Sequence, residues 1–124
     1  MLSASGTATS AGVRITDYRN CILAISGNNA SANLKVFIKG SIGDTAPDFT
    51  VDKAQRSPTN NWEYIEVVDL EDGAAIDGLT GINLSGNAFR LIEVNINSLD
   101  FIAVSCTAVT AGTVTVTGNF TTNE

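Results

Sequence analysis

Polar and apolar residues alternate along most of this chain with the period of two that belongs to strands. The clearest case is "TVTVTGNF", residues 113–120. Val114, Val116, Gly118 and Phe120 point to one side, while Thr113, Thr115, Thr117 and Asn119 point to the other. "TAG" at 110–112 reads as a tight turn back to the apolar segment 101–109, which predicts a hairpin. A second hairpin is predicted between 18–26 and 33–39 across "GNNASA", with Cys21, Leu23, Ile25, Leu34, Val36 and Ile38 turned to the core. Residues 88–97 make a third long strand that directs Ile92, Val94 and Ile96 inward, and 62–70 a fourth. Shorter strands fit 13–16, 48–52 and 81–85.

Turn residues punctuate these segments at intervals of about eight to twelve positions, and no window carries apolar residues at helical spacing among good helix formers. Seven or eight antiparallel strands in 124 residues predict an all-β fold. The expected architecture is an antiparallel β-sandwich, jelly-roll-like in one version, with a closed barrel as the alternative. The sandwich is assigned to residues 13–120 as a single domain, followed by a tail at 121–124. Residues 1–12 are mostly Ser, Thr, Ala and Gly and bury little apolar area, so they are expected to be a flexible arm. The segment 40–61 holds both prolines. It is expected to cross between sheets and to carry a short strand around Phe49 and Val51.

Composition narrows the function. A hydrophobic content of 44% is that of a globular domain. No apolar run approaches the roughly 20 residues of a membrane-spanning helix, so no membrane association is expected. The first residues lack a basic stretch followed by an apolar one, so no export signal is expected. Thirteen acids against seven scattered bases give a net charge of −6, which argues against a nucleic-acid partner. Cys21 and Cys106 lie in apolar strands and are expected as buried thiols, with a mutual disulfide as the alternative.

Histidine is absent, which removes Ser-His-Asp and Cys-His catalysis and His-ligated zinc. The glycine-containing segments do not have phosphate-cradling spacings. The chain is therefore read as a non-enzyme with no cofactor. One stretch concentrates charge: "WEYIEVVDLEDGAAIDG", residues 62–78, has six carboxylates and no base. Asp69, Glu71, Asp72 and Asp77 are oxygen ligands of the kind Ca²⁺ takes, but their spacing is not that of a calcium loop. The stretch is read as a strand followed by a solvated turn, with no metal.

That strand is apolar on both sides, with Ile65 and Val67 on one face and Trp62, Tyr64 and Val68 on the other. In "AFRLIEVNIN", Phe89 and Leu91 oppose Ile92, Val94 and Ile96, and in "LKVFIKG" Phe37 shares a face with Lys35 and Lys39. A sandwich strand ordinarily has one wet face. Trp62, Tyr64, Val68, Phe89, Leu91 and Phe37 are therefore the predicted interface residues. The competing reading is that 40–61 covers Trp62 and Tyr64 within the same chain.

Three segments, "VFIKGSIGDTAPDF", "WEYIEVVDLEDGAAIDGLTGINLSG" and "RLIEVNINSLDFIAVSCTAVTAGTVTVTGNF", resemble small β-sandwich virion proteins of tailed bacteriophages, most of all head decoration (auxiliary or cement) proteins. The likeness spans about residues 13–120 and rests on "W-x-Y-I-x-V", the "D-G" turns and the closing "T-A-G-T-V-T-V-T-G". It implies a structural role in the virion, assembled in the host cytoplasm. The implied form is a homotrimer bound to the major capsid protein or another virion protein. Two other readings stand beside it. One is a carbohydrate-binding or adhesion module of a tail or fibre, stacking sugars on Trp62 and Tyr64 beside Asp69, Asp72 or Asn87. The other is a tail or neck ring component.

Overall fold

In the computed structural model, which describes residues 1–30, 34–84, 86–107 and 111–122, the alternating segments fold into two antiparallel sheets packed face to face. Twelve strands form among the described residues. In chain order they are β1 (Leu2–Ala4), β2 (Ala8–Thr9), β3 (Val13–Arg14), β4 (Asn20–Asn28), β5 (Lys35–Ser41), β6 (Glu63–Tyr64), β7 (Val67–Asp69), β8 (Ala75–Ile76), β9 (Ile82–Asn83), β10 (Phe89–Asn95), β11 (Phe101–Thr107) and β12 (Thr113–Thr121). The first sheet runs β1-β12-β4-β10-β7-β8. The second runs β2-β11-β5-β6, with β3 also on β11 and β9 also on β5. The expected all-β sandwich is thus the fold. The strand number exceeds seven or eight because the segment 62–70 divides and because short strands form before residue 10 and at 75–76.

Every side chain that the alternation directs inward on β4, β5 and β10 is buried: Cys21, Leu23 and Ile25, then Val36 and Ile38 with Leu34 just before them, then Val94 and Ile92 with Ile96 just after. They meet Ile102, Val104, Cys106, Val114 and Val116 between the sheets. Each such aliphatic stabilises the fold by about 1.5–3 kcal/mol relative to exposure. Cys21 and Cys106 are both free and buried in this core. Burial pushes the Cys21 thiol up to about 12 and also raises that of Cys106, so neither is poised as a nucleophile.

Neither predicted hairpin forms. β4 pairs with β12 and β10 in the first sheet, whereas β5 pairs with β11 in the second. β11 and β12 likewise belong to different sheets. The physical reason is that the apolar faces of these consecutive segments satisfy each other across the core, with Ile102 and Val104 on one side and Val114 and Val116 on the other. Lying side by side would turn them all the same way. Parts of the expected "GNNASA" and "TAG" turns, of the strands expected at 33–39, 81–85 and 101–109, and of the tail at 121–124 lie outside the described residues.

The segment 62–70 also changes sheet. Tyr64 lies opposite Lys39 in the second sheet, Ile65 N donates to Ile38 O at 2.8 Å, and Val67 then joins β10 opposite Val94 in the first. The segment 40–61 does the reverse of what its length suggests. It leaves β5 and returns to β6 in the same sheet, lying over that sheet's outer face. No strand forms around Phe49 and Val51, because Asp48 Oδ1 accepts bonds from Thr50 N at 2.9 Å and Thr50 Oγ1 at 2.5 Å. This local turn competes with extended backbone. A single 3₁₀ turn, Lys53–Gln55, follows.

Residues 1–12 form a strap across one side of the sandwich, which corrects the expectation of a flexible arm. Leu2 and Ala4 lie opposite Val116 and Val114 on β12, and Ala8 and Thr9 lie opposite Cys106 and Ser105 on β11. Ser10 N donates to Val104 O at 2.7 Å, and Val104 N donates back to Ser10 Oγ at 2.9 Å. Small residues carry too little apolar area to order by themselves. Here they do so because β11 and β12 each offer an edge of backbone groups that need partners.

Candidate functional site

The six predicted interface residues fall on opposite outer faces of the molecule. Phe37, Trp62 and Tyr64 belong to the second sheet. Lys39, Tyr64 and Ala103 are in register there, and their side chains point away from the core. Phe37 stacks on Tyr64 with ring centroids 5.3 Å apart, and Trp62 meets Tyr64 edge-on at 5.0 Å. This face is not open. Phe49, delivered by residues 42–61, joins Trp62, Phe101 and Ala103 in a second small core, and Trp62 is only 3% exposed. The cover therefore comes from the same chain, and Trp62 is withdrawn as an interface residue.

A buried cation organises this small core. Lys39 is buried and its Nζ donates to Phe49 O at 2.7 Å while lying 4.3 Å from the centre of the Trp62 ring. Desolvation pulls its pKa down, and Asp52 and Asp48 oppose that pull. The Arg56 guanidinium is also within cation–π range of Trp62, at 5.4 Å, and Nη1 donates to Trp62 O at 2.8 Å and to Glu63 Oε2 at 2.6 Å. Trp62 Nε1 is buried with no acceptor among the described residues, a cost this small core carries.

Three carboxylates with lowered pKa hold the segment 42–61. Bonds from Thr50 lower Asp48, the bond from Arg56 lowers Glu63, and bonds from Gly43 N and Thr16 Oγ1 lower Asp100. A carboxylate depressed in the folded state stabilises it above its ordinary pKa, 3.8 for Asp and 4.5 for Glu, and that contribution is lost as pH falls through the folded value. Acidification below about pH 4 is therefore expected to loosen this segment first. Trp62 emission should shift to the red before the far-ultraviolet β signal decays; coincident transitions would show that cover and sandwich are one unit.

The first sheet is bare on its outer face. Register places Phe89 beside Ser26 and Thr115, Leu91 beside Ala24 and Thr117, and Val68 beside Glu93, Ile22 and Asn119. Leu70 N donates to Leu91 O at 3.0 Å, which sets Leu70 at the end of the Leu91 row. Phe89 is 61% exposed, Leu70 42%, Leu91 41% and Ile22 36%, and Val68 is half-buried. Among the residues in these rows only Glu93 is charged. Ile22 and Leu70 were not among the predicted residues. "CILAI" is apolar at all five positions, so Ile22 and Ala24 had to face outward, and Leu70 lies just beyond β7.

The acidic turn spends its carboxylates locally. Asp69 accepts from Glu71 N at 3.0 Å and pairs with Arg90, Asp72 accepts from Ala74 N at 2.9 Å, and Asp77 accepts from Leu79 N at 2.7 Å. No group of three such side chains gathers at metal-binding distance among the described residues. Nor does the fold bring together the sugar-stacking set. Trp62 is buried on one sheet, Asp69 and Asp72 lie at the other, and Asn87 Oδ1 is bonded to Asn29 N at 2.9 Å. An open cleft of about 820 Å³ runs beside Ile42, Ile65 and Leu99 under the 53–61 turn. Its rim cations Lys53 and Arg56 are both paired with Glu63.

In comparisons with known proteins, the chain matches no family model, no curated protein and no solved structure.

Proposed function

We propose that this chain is a non-enzymatic structural protein of a tailed-phage virion, a capsid decoration protein that binds the expanded head as an oligomer. The observation that carries the reading is the bare outer face of the first sheet. There Ile22, Leu91, Phe89 and Leu70 are exposed on adjacent strands and the turn that follows them, with Glu93 the one charge in their rows and Asp69, Glu71 and Arg90 at the margin beside Leu70 and Phe89. An apolar patch with its charges mostly at the margin has the composition of an interface, apolar at the centre and polar at the rim. The face is built on paired strands and its one depression, beside Leu70, Phe89 and Leu91, is a shallow cleft of about 290 Å³, so it suits docking on another protein surface better than enclosing a small ligand. The threonines of β12 extend it with short polar side chains that lose little entropy on contact. The sequence likeness to decoration proteins supplies the capsid as the target and the trimer as the assembly.

Phe89→Asp with Leu91→Asp tests the reading. Both positions point outward, so the variant is expected to keep its β-sheet circular dichroism. Loss of one central anchor typically costs about 2 kcal/mol of binding, or roughly thirtyfold in Kd. The wild-type protein should sediment as an oligomer and saturate expanded capsids, and the double variant should stay folded, lose the association made through this face and fail to bind capsids. A wild-type chain that remained monomeric and ignored capsids would overturn the proposal.

A further inference from the structure

The strap formed by residues 1–12 has the construction of a removable part. It touches the sandwich through two short pairings, three residues on β12 and two on β11, helped by the Met1 amine on Val116 O at 2.8 Å, Cys106 Sγ on Gly6 O at 3.5 Å and the bonds of Ser10 with Val104. Between them lies a bend in which Ser5 and Thr7 are exposed and Gly6 is half-buried, with nothing within 4 Å of the side-chain position of Gly6. Leu2 is the single large side chain that the strap buries in the core. Its root is better held. β3 pairs with β11 through Val13 and Arg14, Ile15 is fully buried, and a Cβ at Gly12 would come within 2.9 Å of the Phe49 ring. Between the strap, whose last bonds to β11 are those of Ser10, and this anchor lie only the exposed Ala11 and Gly12.

When it lifts, two sheet edges open together, β12 at Val114–Val116 and β11 at Ser105–Cys106. Unpaired edges of this kind take up any strand whose register fits them. The slots behind Leu2 and Ala4 are shaped for this same segment. We propose that residues 2–9 are an exchangeable strand, so that the strap of one copy seats on the β12 and β11 edges of a second copy. Exchange replaces every internal bond with an identical one between chains, which makes it a low-cost route to association. Extended, residues 2–10 reach about 30 Å, enough to span to an adjoining domain of this size. The partner is another copy of this chain, so the proposal is independent of the virion reading, and no capsid enters its test.

Ser3 and Thr115 are Cα partners on the outer side of the sheet, away from the core. Directly opposed residues of an antiparallel pair are at disulfide distance. Cys21 and Cys106 are buried and do not compete. The Ser3→Cys,Thr115→Cys double variant, oxidised in dilute solution, should close within one chain. The two single variants, mixed at high concentration and oxidised, should give a covalent heterodimer at twice the monomer mass. Thr117→Cys in place of Thr115→Cys shifts the register by two residues and should give none. The proposal is overturned if the mixed singles stay monomeric where the double variant closes, or if Thr117→Cys links as well as Thr115→Cys.

Discussion

Gly112→Ala is expected to destabilise the sandwich by about 3–5 kcal/mol, the largest effect of any single methyl group added to this chain. Gly112 lies just before β12, where the chain enters the first sheet after leaving the second, and its φ is +71°. An alanine in that left-handed conformation costs about 1–2 kcal/mol before any contact is considered. The added Cβ would then stand 2.2 Å from Asn29 O and 2.4 Å from Asn28 O. Both atoms are backbone, at the end of the strand that pairs with β12 along its whole length, so the neighbour cannot swing aside as a side chain would. Urea denaturation should show a much lower midpoint at similar slope. A midpoint within error of the wild type would mean that the passage between sheets is not held as described.

Lys39→Ala follows, at about 3 kcal/mol. The substitution removes a charged hydrogen bond to Phe49 O and a cation 4.3 Å from the Trp62 ring centre, and leaves that carbonyl without its donor. The effect should be local before it is global. With the tie between β5 and Phe49 gone, residues 42–61 should lift, Trp62 emission should move to the red, and proteolysis should begin within this segment. Lys39→Met keeps the aliphatic stem against the aromatic rings and should lose less. An alanine variant with unshifted Trp62 emission would show that Phe49 and Arg56 hold the cover without the lysine.

The pattern of the chain made the inward faces legible but not the pairing. Period-two alternation states which way Leu23, Val36 and Ile92 point, and all three are buried as it requires. It does not state which strand lies alongside, because a residue facing the core is equally satisfied by a neighbour in its own sheet or by one across from it. That is why 18–26 and 33–39 looked like a hairpin and are instead opposed layers. The outward apolar residues were legible as a demand for cover, while the source of the cover was not. Trp62 and Phe89 present the same signal in the sequence. One is met by Phe49 from a segment whose turn chemistry disguised its role, and the other is met by nothing in the described chain. The strap was misread for a related reason: low apolar content describes what residues 1–12 offer, whereas their order depends on what β11 and β12 lack.

The contrast between the two outer faces has a consequence for growth. A body adhesive on both sides stacks without limit, whereas one that is greasy on one side and sealed by its own polypeptide on the other has a top and a bottom. If the proposed docking and strap exchange hold, such a body would pave a surface and join its neighbours sideways, with no matching sheet face on its far side for a second layer. A layer built through that one face would stop at a thickness of one molecule.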